Sequence, residues 1–299
     1  MIQYNPKDWF YALFTLHKAD TFRALIPMLI FFIFYSWGVV YLETEYLKLA
    51  ENHMVRNLTI MHTLLGFAIS MLLVFRTNTA YDRWWEGRKL WGSLVNNSTN
   101  LALKIKTFVP AERKEDLLFF MRYIPFYSRA LASHLNKTIP LADDENIVHN
   151  GIGELSHHPN FVIKEIMGRV ELLHREGVLV KEHVLMLNAE LQSFSDICGG
   201  CERIKNTPIP FSYSVFIKKF VFIYVGTLPF GFSLTLGLYT IPVTTFIFYV
   251  LASLELIAEE IEDPFGQDGN DLPMTTISKN IKNRVTEIMG LSSENNRFV

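Results

Sequence analysis

The stretch LTIMHTLLGFAISMLLVFRTNTAYDRWWEGRKLWG, residues 58–92, decides the fold. Its first 18 residues, Leu58–Phe75, contain no Asp, Glu, Lys or Arg, and they lie between Arg56 and Arg76. A helix of that length rises about 27 Å, which is just enough to cross the hydrocarbon core of a bilayer. We therefore predict that this segment is a membrane-spanning helix.

Three other stretches are apolar enough to cross or line a membrane: Phe22–Leu42, Phe220–Gly237 and Tyr239–Ala258. The last two are separated by almost nothing, so we predict a helical hairpin with its turn at Gly237–Pro242. The sequence therefore predicts an all-α integral membrane protein with four membrane-spanning helices.

An even number of spans places both termini and the long central region on the same side of the membrane. Lys and Arg are concentrated on that side, as the positive-inside rule requires of a cytoplasmic face. We predict a multi-pass protein of the cell membrane whose termini and central region are cytoplasmic. Residues 1–21 are aromatic and amphipathic, which favours a retained segment lying on the membrane surface.

The central region is predicted to be mostly helical, with helices over Thr79–Phe108, Glu112–Leu135 and Phe161–Ser195 and a polar loop over Asn136–Asn160. The predicted organisation has four parts: an N-terminal surface helix and two membrane segments (1–76, with a pore-lining helix at 58–75), a cytoplasmic helical region (77–219), a second membrane hairpin (220–258) and a cytoplasmic C-terminal segment (259–299).

The composition argues against several classes of function. Of the 299 residues, 49% are hydrophobic and 19% charged, and the net charge is -2, so the chain lacks the basic field that nucleic acid binding needs. We find neither a glycine-rich phosphate loop nor a Gly-x-Ser-x-Gly elbow. The prediction is a protein that is not an enzyme and that has no cofactor and no catalytic residues.

Three strings carry a resemblance to a known family: FRTNTAYDRWWEGRKLWG at 75–92, GCERIKNTPIP at 200–210 and EEIEDPFGQDGNDLP at 259–273. With the hydrophobic profile, they resemble the bestrophin family, particularly its prokaryotic members. The resemblance implies a homopentamer with one central pore that conducts small monovalent ions. The family is described as anion-channel-forming, although prokaryotic members can favour cations, so a chloride channel and a sodium channel are both open.

Alignment on the RWW motif implies that Phe67, Met71 and Phe75 form the neck of that pore. Residues four apart stack along one face of a helix, and this face is bulky and apolar. Five copies would form three apolar rings, which can gate a pore by drying out. The alternative is that the three side chains pack against a neighbouring helix or lipid.

A second aperture of the family lies in its cytoplasmic part, where relatives carry an apolar residue. Counting back 16 positions from Cys198 places Glu182 there, and five carboxylates around an exit favour cations. A shift of one residue would place Lys181 or His183 at the aperture instead. The alternative is that these residues form a solvated helix face.

The string after PFG resembles the region that holds calcium in animal relatives, but here it reads QDGND and keeps only Asp268 and Asp271 as carboxylates. Calcium takes six to eight oxygen ligands. We therefore expect a structural turn and predict no metal site.

Ionisable residues near the spans are expected to form ion pairs between helices, because charges near a membrane usually find partners. These residues are Glu255, Glu259, Glu260 and Glu262, with Arg76 and Arg83 as candidate partners.

Cys198 and Cys201 form a C-x-x-C, so a membrane thiol oxidoreductase is a second functional hypothesis. Their flanks are helical before and Pro-rich after, unlike the strand-to-helix setting of dithiol enzymes, and a second pair that would complete a zinc site is absent from the sequence. His157 and His158 are interpreted as exposed loop residues. A non-conducting membrane scaffold is the third hypothesis.

Overall fold

The structure is a computed structural model that describes residues 20–47, 53–141 and 157–290. Within these ranges all regular structure is helical, which confirms the all-α prediction. The α-helices are α1 (Asp20–Tyr41), α2 (His53–Phe108), α3 (Lys114–Leu135), α4 (His158–Arg175), α5 (Lys181–Asn206), α6 (Phe211–Leu236), α7 (Thr240–Glu262) and α8 (Met274–Met289). The predicted surface helix at the N-terminus and most of the predicted polar loop lie outside the described residues.

Helix α2 is continuous over 56 residues, a rise of about 84 Å. The sequence predicted a membrane segment ending at Phe75 and a separate helical pattern from Thr79. The structure joins them, because the intervening residues include no helix breaker and Arg76 is buried against other helices instead of facing lipid.

The prediction of one helix over Phe161–Ser195 is wrong in two respects. The chain leaves the helix after Arg175, where Gly177 has a φ of 73°, and begins α5 at Lys181. Helix α5 then runs past Ser195 to Asn206 and stops before Pro208. A positive φ is accessible to glycine at little cost, so Gly177 provides the break.

Contacts divide the chain into two compact units, and each is described by itself. We call residues 2–84 and 208–262 the apolar unit, and residues 85–207 and 263–299 the polar unit. The core of the apolar unit is built from buried apolar residues of four helices. Its buried members are Leu25, Leu29 and Phe32 of α1, Ile69 and Leu73 of α2, Ile217, Val221, Val225 and Leu228 of α6, and Phe248 of α7.

Helices α6 and α7 fold back on each other, as the sequence predicted. The turn is a 3-10 segment at Gly237–Tyr239, where Gly237 has a φ of 53°. Lys218 near the start of α6 lies 2.8 Å from Glu259 near the end of α7, which requires the two helices to be antiparallel.

Three continuous helical stretches among the described residues are long and apolar enough to cross a membrane: Thr21–Tyr46, Ile60–Phe108 and Phe211–Glu262. The last contains both arms of the hairpin. The prediction of four crossings therefore stays a prediction.

In the polar unit, α3 packs against α4 and α8, and α4 packs against α5. Helix α8 was not predicted. Its buried face is formed by Ser278, Ile281, Val285 and Met289, a helical spacing that the sequence did carry.

Candidate functional site

Helix α2 has two different faces in its apolar part. Ile69 and Leu73 point into the core of the apolar unit and are 1% and 2% exposed. Phe67, Met71 and Phe75 are 68%, 45% and 57% exposed. The three residues predicted to form a neck thus lie on a face of α2 that the rest of the described chain leaves largely exposed.

These side chains border a shallow depression of about 200 Å³, which is lined by Phe67, Ser70, Met71, Val74 and Phe75. The Ser70 hydroxyl donates a hydrogen bond to the carbonyl of Gly66 at 2.7 Å, so it is tied to the helix backbone. The surface therefore remains apolar. All five lining residues belong to α2, and among the described residues no other helix contributes to the lining.

A separate apolar groove of about 440 Å³ lies between α1 and α7 of the same unit. That groove is lined by Phe22, Leu29, Ile33, Ile241, Pro242, Thr245, Phe246 and Tyr249.

The opposite side of α2 is held close to α6 by a glycine. A Cβ atom on Gly66 would lie 2.7 Å from the hydroxyl oxygen of Tyr224, so a larger residue would push the two helices apart. One turn earlier, Nε2 of His62 lies 3.0 Å from the hydroxyl of Thr227. Sequence reasoning missed this buried histidine, although a titratable side chain inside an apolar span is itself a signal of a specific partner.

An ion-pair network fixes the end of the apolar part of α2. Nη2 of Arg76 lies 2.7 Å from Glu262, and its Nε lies 3.5 Å from Glu255. Glu262 also accepts a hydrogen bond from the backbone N–H of Ile209 at 2.6 Å, and its carbonyl accepts one from Nε of Arg83 at 3.1 Å. The predicted ion pairs between helices are confirmed for Arg76, which joins α2 to α7.

Glu182, the predicted aperture residue, lies in the first turn of α5 and is exposed. A carboxylate is favoured there by the helix dipole. Lys181 is also exposed, whereas the ring of His183 stacks on Phe108 with centroids 4.1 Å apart. If the aperture position is shifted by one residue, it therefore holds either the exposed cation of Lys181 or His183, whose ring already packs within its own chain.

Inside the polar unit, the PFG string packs against Gly87, the last residue of the RWWEG string. A Cβ atom on Gly87 would meet Pro264 at 3.2 Å and Phe265 at 3.3 Å, so glycine permits the close approach. Asn136 donates hydrogen bonds to the carbonyls of Phe265 and Gly266 at 3.1 and 2.8 Å. These contacts hold the PFG string against α2 and α3.

The carboxylates after PFG form a closed turn. Asp271 accepts a hydrogen bond from the backbone N–H of Asp268 at 2.5 Å, and Leu272 donates to the carbonyl of Pro264 at 2.9 Å. The other oxygen of Asp271 is buried and has no hydrogen-bond partner among the described residues. Burial raises the pKa of Asp271 to about 6. The turn is held by these two hydrogen bonds, one of them to the Asp271 side chain. That it binds no metal stays a prediction.

Cys198 and Cys201 are both buried within α5 as free thiols. Burial, together with the nearby Glu202 carboxylate, raises the pKa of Cys198 to about 12, and burial also raises that of Cys201. A reactive dithiol needs a thiolate, which these surroundings disfavour.

The interpretation of His157 and His158 as exposed loop residues is wrong. His157 caps the N-terminus of α4 and His158 is its first residue, and both are half-buried. Nε2 of His157 lies 2.9 Å from Glu202, a partner 45 positions away in the sequence. Local composition could not reveal so distant a partner.

Comparisons with known proteins by family profile, by sequence and by structure point to the same family. The family profile described as bacterial/fungal bestrophin protein matches residues 1–287. A voltage-dependent anion channel-forming protein of Ralstonia nicotianae is 32% identical over 94% of this chain and 92% of its own length. The corresponding protein YneE of Escherichia coli K12 is 33% identical over 94% and 92%. A solved bacterial bestrophin homologue from Klebsiella pneumoniae superposes with a TM-score of 0.80 at 27% identity, covering 89% of this chain and 98% of that one.

Proposed function

The chain belongs to the bestrophin family, and we propose that it assembles as a homopentamer whose central pore conducts small monovalent ions across the cell membrane. The relatives named above are described as anion channel-forming, which supports conduction of anions such as chloride.

The observation that carries this proposal is the uncovered apolar face of α2. Phe67, Met71 and Phe75 are exposed in the single chain although they are large and apolar. A regular row of such residues on one helix face is suited to contact with other copies of the same helix around an axis. Five copies would form three stacked apolar rings, and such a constriction controls ion passage by excluding water.

The proposed topology has four crossings, because each arm of the α6–α7 hairpin is long enough to span. Helix α6 has 26 residues and α7 has 23, which correspond to about 39 and 35 Å. With α1 and the first part of α2, this places both termini and residues 77–219 on the cytoplasmic side, as the distribution of Lys and Arg favours.

Cation selectivity, for example for sodium, is the alternative within the same architecture. One observation favours it: Glu182 is exposed in the first turn of α5. A ring of five such carboxylates would attract cations. Lys181 beside it would offset part of that charge.

The buried thiols make the oxidoreductase hypothesis weaker than conduction, since neither cysteine is exposed to a substrate. The scaffold hypothesis differs from the channel only in the absence of current. A flux measurement therefore separates the hypotheses.

The experiment is to reconstitute the purified protein in liposomes and to measure currents under a salt gradient, with protein-free liposomes as the control. The mass of the detergent-solubilised assembly is measured in parallel by light scattering. We expect currents and the mass of five chains. A single chain by mass, or a folded assembly without current, would contradict the proposal.

A further inference from the structure

Three side chains of the polar unit converge on one small volume: His134 of α3, His157 at the start of α4 and Glu202 of α5. Oε1 of Glu202 lies 2.6 Å from Nε2 of His134 and 2.9 Å from Nε2 of His157. The two imidazole rings lie 4.4 Å apart, centroid to centroid. Within the described ranges, no other group of three His, Cys, Asp or Glu side chains brings its ligand atoms within 4.8 Å of one another.

We propose that His134, His157 and Glu202 form a binding site for one Zn²⁺ or chemically similar transition-metal ion. The donor set of two imidazole nitrogens and one carboxylate oxygen is one that zinc uses, with a fourth position left to water. Calcium and magnesium prefer oxygen ligands alone, so the two histidines select against them.

The geometry needs little adjustment to accept the ion. Zinc lies about 2.0–2.2 Å from its nitrogen and oxygen ligands, which sets tetrahedral ligand atoms about 3.3 Å apart. The observed separations of 2.6 and 2.9 Å are shorter by less than about 1 Å. Small side-chain rotations therefore open the site, and the helices that carry the ligands keep their places.

Binding also requires a change of tautomer. Nδ1 of His157 accepts a hydrogen bond from the backbone N–H of Asn160 at 3.2 Å, which places the proton of the neutral ring on Nε2. A metal ion takes the Nε2 lone pair, so the proton moves to Nδ1 and this capping bond is lost. The ion replaces it with a direct link among α3, α4 and α5.

The nearby thiols are a competing donor set, because Cys198 and Cys201 lie on the same helix as Glu202. Both are buried, whereas His134, His157 and Glu202 are each half-buried and accessible to an incoming ion. Substitution of the two cysteines distinguishes a thiol site from the proposed one.

The test uses the full chain, purified in detergent and stripped of metal with EDTA. Calorimetric titration with ZnCl₂ is expected to give one ion per chain, and His134→Ala and Glu202→Gln are expected to weaken binding more than about tenfold. His183→Ala is the matched control, since this histidine of the polar unit lies outside the cluster, and it should bind as the parent does. The double change Cys198→Ser and Cys201→Ser should also leave the affinity unchanged.

Two parent measurements keep the proposal falsifiable if a variant fails to fold. Bound Co²⁺ should show visible bands without a sulfur-to-metal charge-transfer band, and Zn²⁺ but not Mg²⁺ should raise the midpoint of thermal unfolding. Absence of binding by the parent, binding that survives both ligand substitutions, or a sulfur band that disappears in the double serine variant would overturn it.

Discussion

Nη2 of Arg76 lies 2.7 Å from Oε2 of Glu262, and this pair joins α2 to α7, the second helix of the hairpin. The Arg76 side chain is 1% exposed and that of Glu262 is 12% exposed. The contact fixes where the apolar part of α2 ends, directly beside Phe75, the last of the proposed neck residues.

Removal of Arg76 should destabilise the protein strongly. Arg76→Ala leaves Glu255 and Glu262 without their cation, and breaking a buried pair from one side costs about 3–5 kcal/mol. Lys218→Ala is the matched control, because it breaks the half-exposed pair with Glu259, which is worth less than about 1 kcal/mol. The effects of both changes are measured by heating the protein in detergent and following the loss of the assembled peak in gel filtration. Equal effects of the two changes would contradict the structural role of Arg76.

Shortening the neck side chains should raise conduction. The triple change Phe67→Ala, Met71→Ala and Phe75→Ala widens the proposed apolar rings and lets water fill them, so single-channel conductance should rise several-fold. Phe34→Ala is the control, since Phe34 of α1 is as exposed as Phe67 and lies outside the proposed neck. Unchanged conductance in the triple variant would place the constriction elsewhere.

Neutralising Glu182 should change selectivity without blocking the pore. In Glu182→Gln the proposed ring loses five negative charges, so the reversal potential under a salt gradient should shift toward anion preference. Lys181→Gln should shift it in the opposite direction if both side chains face the exit. A reversal potential that neither change moves would remove this part of α5 from the conduction path.

The buried carboxyl group of Asp271 predicts that the stability of the folded protein depends on pH. Its pKa is raised to about 6 by burial, so the folded state binds the proton more tightly than the unfolded state. Its contribution is present at low pH and is lost as the pH rises through about 6, which lowers the unfolding midpoint between pH 5 and pH 7.5.

The neutral variant isolates this effect. Asp271→Asn keeps an oxygen that accepts the bond from Asp268, so its unfolding midpoint should fall less over the same pH range. Asp196→Asn, at an exposed position of α5, should behave as the parent.

Millimolar calcium should not shift the unfolding midpoint of the parent, because the turn is closed by its own hydrogen bonds. A calcium-dependent rise would restore Asp268 and Asp271 as ligands.

The sequence predicted the features that depend on local pattern. The apolar segments, the antiparallel hairpin, and the pairing of Arg76 with carboxylates of the last hairpin helix follow from residue type and spacing. Helix α8 carried the same kind of signal in the spacing of Ile281, Val285 and Met289, although it was not predicted.

Other features depend on contacts that the sequence does not display. Gly168 lies inside α4, whereas Gly177 takes a φ of 73° and ends the predicted helix, so the presence of glycine alone does not place a break. The contact of His157 with Glu202 joins positions far apart in the chain, and only the packing of α3, α4 and α5 brings them together.

The most direct test of the central claim is the accessibility of a single cysteine on the proposed pore face. In a background with Cys198 and Cys201 changed to serine, Met71→Cys is compared with Leu73→Cys, which faces the core of its own chain, and with Phe34→Cys on α1. We predict that Cd²⁺ or a charged, water-soluble thiol reagent blocks the current of Met71→Cys and leaves the other two unchanged. A Met71→Cys channel that conducts normally in the presence of both reagents would contradict the account.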